Sequence, residues 1–290
     1  MNFHIPKVSV VIPCYNDKYY IQETVQSILR QTFQDFEIIV VDDGSNEETK
    51  EILRSFNNKK IQILTQINQG VSNARNNGIS KSKAEYILVL DGDDIVNEVF
   101  LDKAVAILDY DNNKKVGAVS SYCNIFEKKD TIIHKHTPIG GGVNNFLFDN
   151  NCVSFALIRK ECWKSIGGYD EEMKNGFEDW EFWIAMTKRG WDIFMIPDFL
   201  FSYRQKKAKI SLDKASKIYY REENLKYIFI KHQDLYQNNF TDAINYLTDL
   251  AARNKKNEIK YKNSLEFRIG DLALKPFRFI KQYLKFANKL

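Results

Sequence analysis

The stretch Tyr86-Ile87-Leu88-Val89-Leu90-Asp91-Gly92-Asp93-Asp94 places three carboxylates directly behind a short apolar run. The apolar run predicts a buried strand that ends at Leu90. Crowded carboxylates repel one another, which raises at least one pKa unless a cation lies among them. Mg²⁺ and Mn²⁺ prefer oxygen ligands, commonly one or two carboxylates together with the phosphates of a substrate. The stretch therefore indicates a divalent-cation site, with a surface Asp-Gly turn as the alternative.

Strand and helix patterns alternate through the first hundred residues. Apolar or β-branched runs predict strands over 8–12, 36–41, 61–64 and 86–90. Helical spacing of apolar residues predicts helices over 20–31, 47–56 and 70–80. This alternation is typical of βαβ units and predicts an α/β fold, with a mostly parallel Rossmann-like sheet flanked by helices.

Polar residues follow the predicted strands at the points where the strands end. These residues are Tyr15, Asn16, Asp42, Asp43, Asp91 and Asp93. Open α/β sheets bind ligands outside the carboxyl ends of their strands, so the pattern indicates a nucleotide site. The chain has no GxGxxG or Walker loop to hold a phosphate. A metal ion must then carry the phosphate charge, which agrees with the acidic stretch.

The composition is that of a globular protein with a basic C-terminal end. Hydrophobic residues make up 44% of the 290 residues. From Arg253 to Leu290 the chain has eleven Lys and Arg against three acids, a net charge of +8, which leaves −4 for the rest. The body of the chain carries no nucleic-acid recognition motif, so we expect no nucleic-acid partner.

A cytoplasmic location is predicted from three absences in the sequence. The first residues lack the apolar core of a signal peptide. No apolar run approaches the roughly 18 residues that a membrane span needs. The four cysteines show no CxxC spacing, which argues against a zinc site or a disulfide framework.

The pattern changes past residue 100. Helices are predicted over 99–109, 161–166 and 178–188, and strands over 116–126, 151–159 and 191–196, the last ending before Pro197. From Ala215 onward the chain is predicted to be largely helical. We place a domain boundary near Lys207, which gives one α/β domain over 1–207 and a helical C-terminal extension over 208–290.

Six motifs, in this order along the chain, resemble the pattern of glycosyltransferase family 2. They are Pro13-Cys-Tyr-Asn16, Val41-Asp-Asp-Gly-Ser45, Gly70-Val-Ser-Asn-Ala-Arg-Asn-Asn-Gly78, Leu90-Asp-Gly-Asp-Asp94, Gly167-Gly-Tyr-Asp-Glu171 and Phe177-Glu-Asp-Trp180. The resemblance covers roughly residues 6 to 205. It implies the GT-A fold and inverting sugar transfer from a nucleotide donor. It also implies a nucleotide-binding part over about 1–95 and an acceptor part over about 96–207.

The resemblance implies roles for the residues at the donor. Pro13 and Tyr15 would lie beside the base, and Asp43 would accept a hydrogen bond from a uracil-type imide. Arg75 would add a base or phosphate contact, although a solvated helix charge is the alternative.

The resemblance also implies a metal site and a site for the diphosphate. Asp93 would ligate Mn²⁺ or Mg²⁺, and Asp91 would face the ribose or the metal. Many relatives carry a His shortly after the Tyr-Arg that is here Tyr203-Arg204, whereas this chain continues Gln205-Lys-Lys. Arg204 or a nearby lysine would then have to bind the diphosphate.

Asp179 matches the general base of the family, with Glu178 and Trp180 as supporting neighbours. Inversion by one in-line displacement needs a single carboxylate that takes the proton of the acceptor hydroxyl. An alternative is that Glu178 and Asp179 only open a helix, where acids are favoured by the helix dipole.

The last sixteen residues, 275–290, combine apolar side chains at Phe277, Ile280, Leu284 and Phe286 with five basic residues. Pro276 suits the first turn of a helix, so we predict a basic amphipathic helix that starts there. Such a helix can lie on the anionic inner face of the plasma membrane. The alternative is a helix packed on the protein with its lysines in water.

These observations predict a metal-dependent inverting glycosyltransferase. The donor would be a UDP-sugar and the acceptor a glycan or a lipid-linked glycan in cell-surface polysaccharide biosynthesis. A sugar-nucleotide nucleotidyltransferase is one alternative, although Pro13-Cys-Tyr-Asn16 lacks the glycines of its phosphate loop. A catalytically idle binding subunit with the same fold is the other, and it would not need Asp93 or Asp179.

Overall fold

A computed structural model of the chain describes residues 4–127, 131–206 and 219–287. The chain divides into two compact units, residues 1–235 and residues 236–290. The first unit has an α/β fold with a large mixed β-sheet, and the described part of the second unit is helical.

The described strands are β1 (Val8–Cys14), β2 (Phe36–Asp43), β3 (Ile61–Gln66), β4 (Tyr86–Val89), β5 (Ile95–Val96), β6 (Val116–Phe126), β7 (Ile132–His136), β8 (Ala156–Arg159) and β9 (Asp192–Arg204). The described α-helices of the first unit are α1 (Ile21–Leu29), α2 (Glu47–Arg54), α3 (Val71–Lys81), α4 (Phe100–Tyr110), α5 (Lys160–Ile166), α6 (Glu178–Lys188) and α7 (Arg221–Lys231). Helix α8 (Gln233–Asn238) crosses the division between the units, and α9 (Phe240–Lys262) and α10 (Leu265–Ala287) follow it.

The strands form one sheet in the order β3-β2-β1-β4-β8-β6-β9-β5, with β7 paired to β6. The four strands from β3 to β4 are parallel. Their carboxyl ends therefore meet at one edge of the sheet, where open α/β sheets bind ligands. Beyond β4 the sheet is mixed, because β8 runs antiparallel to both β4 and β6.

Every residue of β1 is buried, as expected for a parallel strand covered by helices on both faces. Successive side chains of a strand point to opposite faces. Val10 and Ile12 therefore enter one apolar core with α1 and α4, whereas Val11 enters a second core with α3 and α6. The second core therefore holds α3 and α6 on the same side of the sheet.

The short strand β5 brings the end of β9 to the acidic stretch. Ile95 pairs with Ser202 and Val96 with Phe201, so Arg204 lies beside the residues that follow β4. Strand β9 reaches Arg204 by running through Pro197, where the sequence predicts that it ends. Its register with β6 shifts there, from Ile196 opposite Ser121 to Phe199 opposite Tyr122. A proline without an N–H is tolerated at such an irregularity.

Two further sequence predictions need correction. The strand predicted over 151–159 is confined to Ala156–Arg159. The C-terminal helix was predicted to start at Pro276, but α10 begins at Leu265 and continues through Pro276. The helical spacing of Leu265, Ile269 and Leu272 upstream of the proline accounts for the earlier start.

The domain boundary predicted near Lys207 lies outside the described residues. The helix α7, which the sequence assigned to the C-terminal extension, belongs to the first compact unit. Its Ile228 is fully buried in the same apolar core as α3 and α6. The functional division into nucleotide and acceptor parts stays a prediction.

Gly78 lets α3 lie directly on the sheet. A Cβ at this position would lie 2.5 Å from Cγ1 of Val11 and 3.0 Å from Cγ2 of Val41. We expect Gly78→Ala to lower the free energy of unfolding by about 1–3 kcal/mol, because methyl groups inserted into a packed core force neighbours apart. Denaturant unfolding followed by circular dichroism measures this. Gly270→Ala is the control, since it lies in a helix with nothing within 4 Å of the added Cβ, and a comparable loss there would contradict the packing argument.

Candidate functional site

Arg75 joins two parts of the chain at the carboxyl edge of the sheet. It lies on α3 and is 1% exposed. Its Nη2 donates to Oδ1 of Asp91 and its Nη1 donates to Oε1 of Glu178, both at 2.8 Å. Burial alone would lower the pKa of Arg75, but the charges of Asp91 and Glu178 outweigh it and raise that pKa well above its ordinary value. The acidic stretch and the start of α6 are thereby tied together through one cation.

Asp91 is also held from a second side. It is half-buried at the end of β4, and Oγ of Ser154 donates to its Oδ2 at 3.3 Å. Since Oδ1 accepts from Arg75, both oxygens of this carboxylate have protein donors. The predicted contact of Arg75 with a ligand stays a prediction, and in this structure its two terminal nitrogens position carboxylates.

Asp179 is a half-buried carboxylate at the start of α6. Nδ2 of Asn150 donates to Oδ2 at 2.9 Å, and the backbone N–H of Trp180 donates to Oδ1 at 2.7 Å. Burial, and then the negative charge of Glu178, raise the pKa of Asp179 to about 6. Arg75 and the two hydrogen bonds oppose this rise without cancelling it. A carboxyl group with such a pKa can hold and release a proton near neutral pH.

Trp180 and Phe177 fix the start of the helix that carries this carboxylate. Trp180 is buried, and its Nε1 donates to the carbonyl oxygen of Phe146 at 2.7 Å. Phe177 precedes the helix in the left-handed conformation, with φ of 67°. Its ring lies 5.6 Å from that of Trp180. Trp180 thus anchors α6, and the catalytic support predicted for it stays a prediction.

Asp43 ends β2 and organises the loop that precedes α3. Oδ1 accepts from Nε2 of Gln66 and from the backbone N–H of Gln69, and Oδ2 accepts from the N–H of Gly70. Asp43 is only 3% exposed. Its predicted hydrogen bond to a base stays a prediction, for which Oδ2 has acceptor capacity left.

Pro13 and Tyr15 lie at the end of β1. Pro13 is buried, and its carbonyl oxygen would lie 3.0 Å from a Cβ added to Gly92, so β1 and the acidic stretch are in close contact. Tyr15 is 52% exposed, which leaves its ring accessible. Asn16 follows in the left-handed conformation and accepts from the backbone N–H of Asn46.

A network of asparagine side chains connects two of the motifs. Asn76 on α3 donates to the carbonyl oxygen of Tyr169 and to Glu171, and its Oδ1 accepts from the N–H of Tyr169. Asn73 donates to the same Glu171 at 2.8 Å. Gly168 is needed beside this network, because it has φ of +93° and an added Cβ would lie 2.6 Å from Oδ1 of Asn76. The loop before α6 is therefore fixed to α3.

Asp93 faces Lys206 and Asp17. The sequence pointed to a lysine near Arg204 as a candidate ligand of the diphosphate, but it did not single out Asp17. Nζ of Lys206 lies 2.7 Å from Oδ2 of Asp93 and 2.9 Å from Oδ1 of Asp17. Burial raises the pKa of Asp93, as do the charges of Asp17 and Asp91, and Lys206 opposes that rise. Asp17 directly follows the first motif, and Lys206 lies two residues beyond Arg204, so proximity to a motif was the available signal.

Arg204 is bound to the protein rather than directed toward open space. Its Nε donates to the carbonyl oxygen of Asp93 at 2.8 Å, and its Nη2 donates to Oε2 of Glu23 at 2.6 Å. Its backbone N–H donates to Oδ1 of Asp94. Asp94 is fully buried, and burial together with the charges of Asp93 and Asp91 raises its pKa well above the ordinary value. Asp94 is therefore a structural residue. Asp91 and Asp93 remain the candidates for binding a metal ion.

The donor set at the acidic stretch fits a metal ion that is shared with a substrate. Within residues 4–127, 131–206 and 219–287 there is no group of three or more His, Cys, Asp or Glu residues that could hold a metal ion alone. Asp91 and Asp93 are the hard oxygen donors there, and each carboxylate also has a cationic partner in the protein, Arg75 and Lys206 respectively. Mg²⁺ and Mn²⁺ are commonly bound by one or two carboxylates with the remaining ligands from phosphates and water.

The predicted site residues thus fall into connected groups. One group joins Arg75, Asp91 and Glu178, and another joins Asp93 to Arg204. Asn150, Ser154, Asp17 and Lys206 are additional members. No sequence signal indicated a role for Asn150 or Ser154, because their partners are distant along the chain. Asn150 lies 29 positions from Asp179, and Ser154 lies 63 positions from Asp91.

Comparisons with known proteins identify the family of the chain. Residues 9–167 match the family described as Glycosyl transferase family 2. An uncharacterized glycosyltransferase of Haemophilus influenzae is 30% identical over 234 residues, which cover 76% of this chain and 70% of that protein. GlyG of Streptococcus pneumoniae is 45% identical over 98 residues, a third of each protein (33% and 33%). Poly-beta-1,6-N-acetyl-D-glucosamine synthase of Staphylococcus epidermidis is 27% identical over 57% of this chain and 42% of that protein.

Solved structures share the fold. The structure of S. aureus TarS 1–349 in complex with UDP-GlcNAc has a TM-score of 0.60 at 21% identity, covering 72% of this chain and 61% of that one. The mannosyltransferase PcManGT of Pyrobaculum calidifontis, in complex with GDP-Man and Mn²⁺, has a TM-score of 0.54 at 20% identity, covering 71% and 59%. The predicted fold class, a GT-A-type sheet flanked by helices with a helical C-terminal region, is confirmed.

The pKa of Asp179 can be shifted in both directions. Asn150→Ala removes a hydrogen bond that favours the charged carboxylate, so the pKa should rise above its wild-type value of about 6. Glu178→Gln removes a neighbouring negative charge, so the pKa should fall. Carboxyl ¹³C NMR titration measures both, with Asp179→Asn to assign the resonance. Two unchanged midpoints would contradict the electrostatic description of this carboxylate.

Proposed function

Because this chain belongs to glycosyltransferase family 2, we propose that it is an inverting glycosyltransferase with a nucleotide-diphosphate sugar as donor. The observation that supports this most is the linkage of Asp91 to Glu178 through Arg75. A donor diphosphate and its metal would bind at the acidic stretch. The linkage connects this stretch to the start of α6, which carries Asp179, whose pKa is raised to about 6.

Asp179 is the proposed general base. In a single displacement it takes the proton of the acceptor hydroxyl while that oxygen attacks the anomeric carbon and the bond to the diphosphate breaks. The proton ends on Oδ1 or Oδ2, the electron pair of the broken bond leaves with the diphosphate, and the anomeric configuration inverts. Asn150 orients the carboxylate, and Glu178 maintains its basicity by its negative charge.

Donor recognition is assigned to the ends of β1 and β2. Tyr15 offers an exposed ring for stacking on the base, beside Pro13. Asp43, fixed by Gln66 and two backbone N–H groups, is the proposed acceptor for a uracil-type imide. The solved neighbour TarS is in complex with UDP-GlcNAc, which favours a UDP-sugar as donor here.

Asp93, with Asp91, would hold Mn²⁺ or Mg²⁺ shared with the donor phosphates. When bound, the ion supplies a Lewis acid that neutralises charge on the departing diphosphate. The structure of PcManGT contains Mn²⁺ together with a nucleotide sugar, which supports this proposal. Asp93 presents its carboxylate, and Arg204 fixes the backbone carbonyl of the same residue.

The proposed acceptor is a glycan or a lipid-linked glycan in cell-surface polysaccharide biosynthesis. A polysaccharide synthase is among the relatives, which supports that setting. The proposed location is the cytoplasm, at the inner face of the plasma membrane. None of the described helices combines the length with the apolar composition that a membrane span requires.

The C-terminal helix α10 supports a peripheral contact with a membrane. Three residues at helical spacing, Leu265, Ile269 and Leu272, are 59–71% exposed on it. The basic residues of 253–290 give this part of the chain a net charge of +8. An exposed apolar stripe combined with positive charge favours an anionic lipid surface.

The two alternatives have less support. A nucleotidyltransferase would use a glycine-rich loop after β1, where this chain has Pro13-Cys-Tyr-Asn16. An idle binding subunit would not need a half-buried carboxylate with a raised pKa, which is costly to maintain.

Nucleotide binding tests the proposed function. Calorimetric titration with UDP, GDP, CDP and dTDP, each with and without Mn²⁺, should give Mn²⁺-dependent binding of one nucleotide that Asp93→Ala abolishes. Asp179→Asn should bind that nucleotide like the wild type but transfer sugar roughly 10²–10⁴-fold more slowly, as expected for loss of a general base. Asp234→Asn, at an exposed ion pair with Lys188, is the matched control and should transfer at the wild-type rate. Absence of binding for all four nucleotides would overturn the proposal.

Membrane contact is tested with the C-terminal helix. The full chain should co-float with vesicles that contain phosphatidylglycerol and not with pure phosphatidylcholine, because the attraction is partly electrostatic. Deletion of residues 265–290, which removes the exposed stripe together with the rest of α10, should reduce the bound fraction. Equal binding of the full and shortened chains would contradict a contact through this helix.

A further inference from the structure

The ammonium group of Lys206 lies against Asp93, one of the two carboxylates proposed for the metal. Its Nζ lies 2.7 Å from Oδ2 of Asp93 and 2.9 Å from Oδ1 of Asp17. The exposed fractions of these side chains are 29% for Lys206, 19% for Asp93 and 14% for Asp17. The three charges therefore meet in partly desolvated surroundings, where each ion pair is screened less than at the surface.

The ammonium stands where a hard cation would compete for the same oxygens. Asp17 follows β1 and Asp93 follows β4, two adjacent parallel strands, so the two carboxylates approach each other at the sheet edge. Without a cation between them, their charges would repel. An ammonium satisfies them with a single charge, and a divalent ion would satisfy them with two.

Arg204 is not suited to exchange partners in this way. Its guanidinium is engaged by Glu23 and by the carbonyl oxygen of Asp93, and it lies 4.5 Å from the ring centre of Phe126. Lys206 has a flexible four-carbon stem and a compact charge that can rotate to a new partner. Arg204 ends β9 and Lys206 follows it. Of these two cations, Lys206 is the one whose side chain can change partners.

On the basis of the proposed function, we propose that Lys206 exchanges between two positions. Without ligands it bridges Asp17 and Asp93. When a divalent cation binds at Asp93 together with a nucleoside diphosphate, the ammonium leaves the carboxylates and binds oxygens of the diphosphate. Lys206 is thus both a competitor of the metal and a ligand of the leaving group.

This exchange couples the two ligands. A metal ion alone must displace an ammonium that has no other anion to bind. A diphosphate supplies that anion, so each ligand makes the binding of the other more favourable, and the coupling is reciprocal. Substitution of Lys206 should therefore strengthen metal binding in the absence of nucleotide and weaken the coupling.

The experiment is Mn²⁺ binding to the full chain, followed by the electron paramagnetic resonance signal of free Mn²⁺, with and without UDP. Without nucleotide, Lys206→Met should bind Mn²⁺ about tenfold more tightly than the wild type, because a competing charge-assisted contact is removed. At saturating Mn²⁺, UDP should bind to Lys206→Met about tenfold more weakly, because one cationic contact to the diphosphate is lost. Lys206→Gln should behave in the same way, and thermal melting by circular dichroism checks that both variants are folded.

Lys7→Met is the matched control. Lys7 also bridges two carboxylates, with Nζ 3.0 Å from Glu85 and 2.9 Å from Asp109, at the opposite ends of the same strands. The Lys7→Met variant should bind Mn²⁺ with the affinity of the wild type. A gain in this control equal to that in Lys206→Met would overturn the proposal, since the effect would then be one of overall charge. In the double variant Asp93→Asn/Lys206→Met the gain should disappear, and a gain that persisted would also overturn it.

The remaining outcomes separate this proposal from the proposed function. Equal Mn²⁺ affinities of the wild type and Lys206→Met, or no Mn²⁺ binding to either, would overturn the exchange at Asp93. A gain in Mn²⁺ affinity in Lys206→Met, with no binding of UDP, GDP, CDP or dTDP to the wild type, would support that exchange and overturn the proposed function with the diphosphate step.

Discussion

A buried guanidinium is the constraint on which the rest of the site depends. Asp91 and Glu178 compensate the charge of Arg75 inside the protein, and removal of either partner would leave part of that buried charge unpaired, which is strongly destabilising. The close packing of α3 on the sheet at Gly78 fixes the position of Arg75, which lies on the same helix. The end of β4 and the start of α6 must therefore meet at its two nitrogens.

The carboxylates along the sheet edge differ in how they are compensated, and this difference divides their roles. Asp43 accepts three hydrogen bonds from the protein, Asp91 faces Arg75, and Asp93 faces Lys206. Asp179 has an amide and one backbone N–H as hydrogen-bond donors and lies beside Glu178. It is therefore the carboxylate best suited to exchange a proton near neutral pH.

Rigidity around Asp179 comes from side chains that have no chemistry of their own. Asn73 and Asn76 fasten the loop at Glu171 to α3, and Trp180 fastens α6 to the carbonyl oxygen of Phe146. These contacts hold the proposed base and the proposed donor site on elements of the same packed core. A general base must be held in place relative to the reacting atoms, so such supports are as necessary as the carboxylate itself.

The sequence by itself determined the parallel strands, the carboxylates at their ends and the family. Buried apolar runs and the polar residues that follow them are local patterns, so they can be read without knowledge of the fold. The passage of β9 through Pro197, and with it the position of Arg204 and Lys206, depended on pairing with β6 and β5. The contact of Lys206 with Asp17 joins residues 189 positions apart, and that of Arg75 with Glu178 joins residues 103 apart. Only the tertiary structure decided these pairings, because long-range charge pairs are set by where the packed strands and helices end.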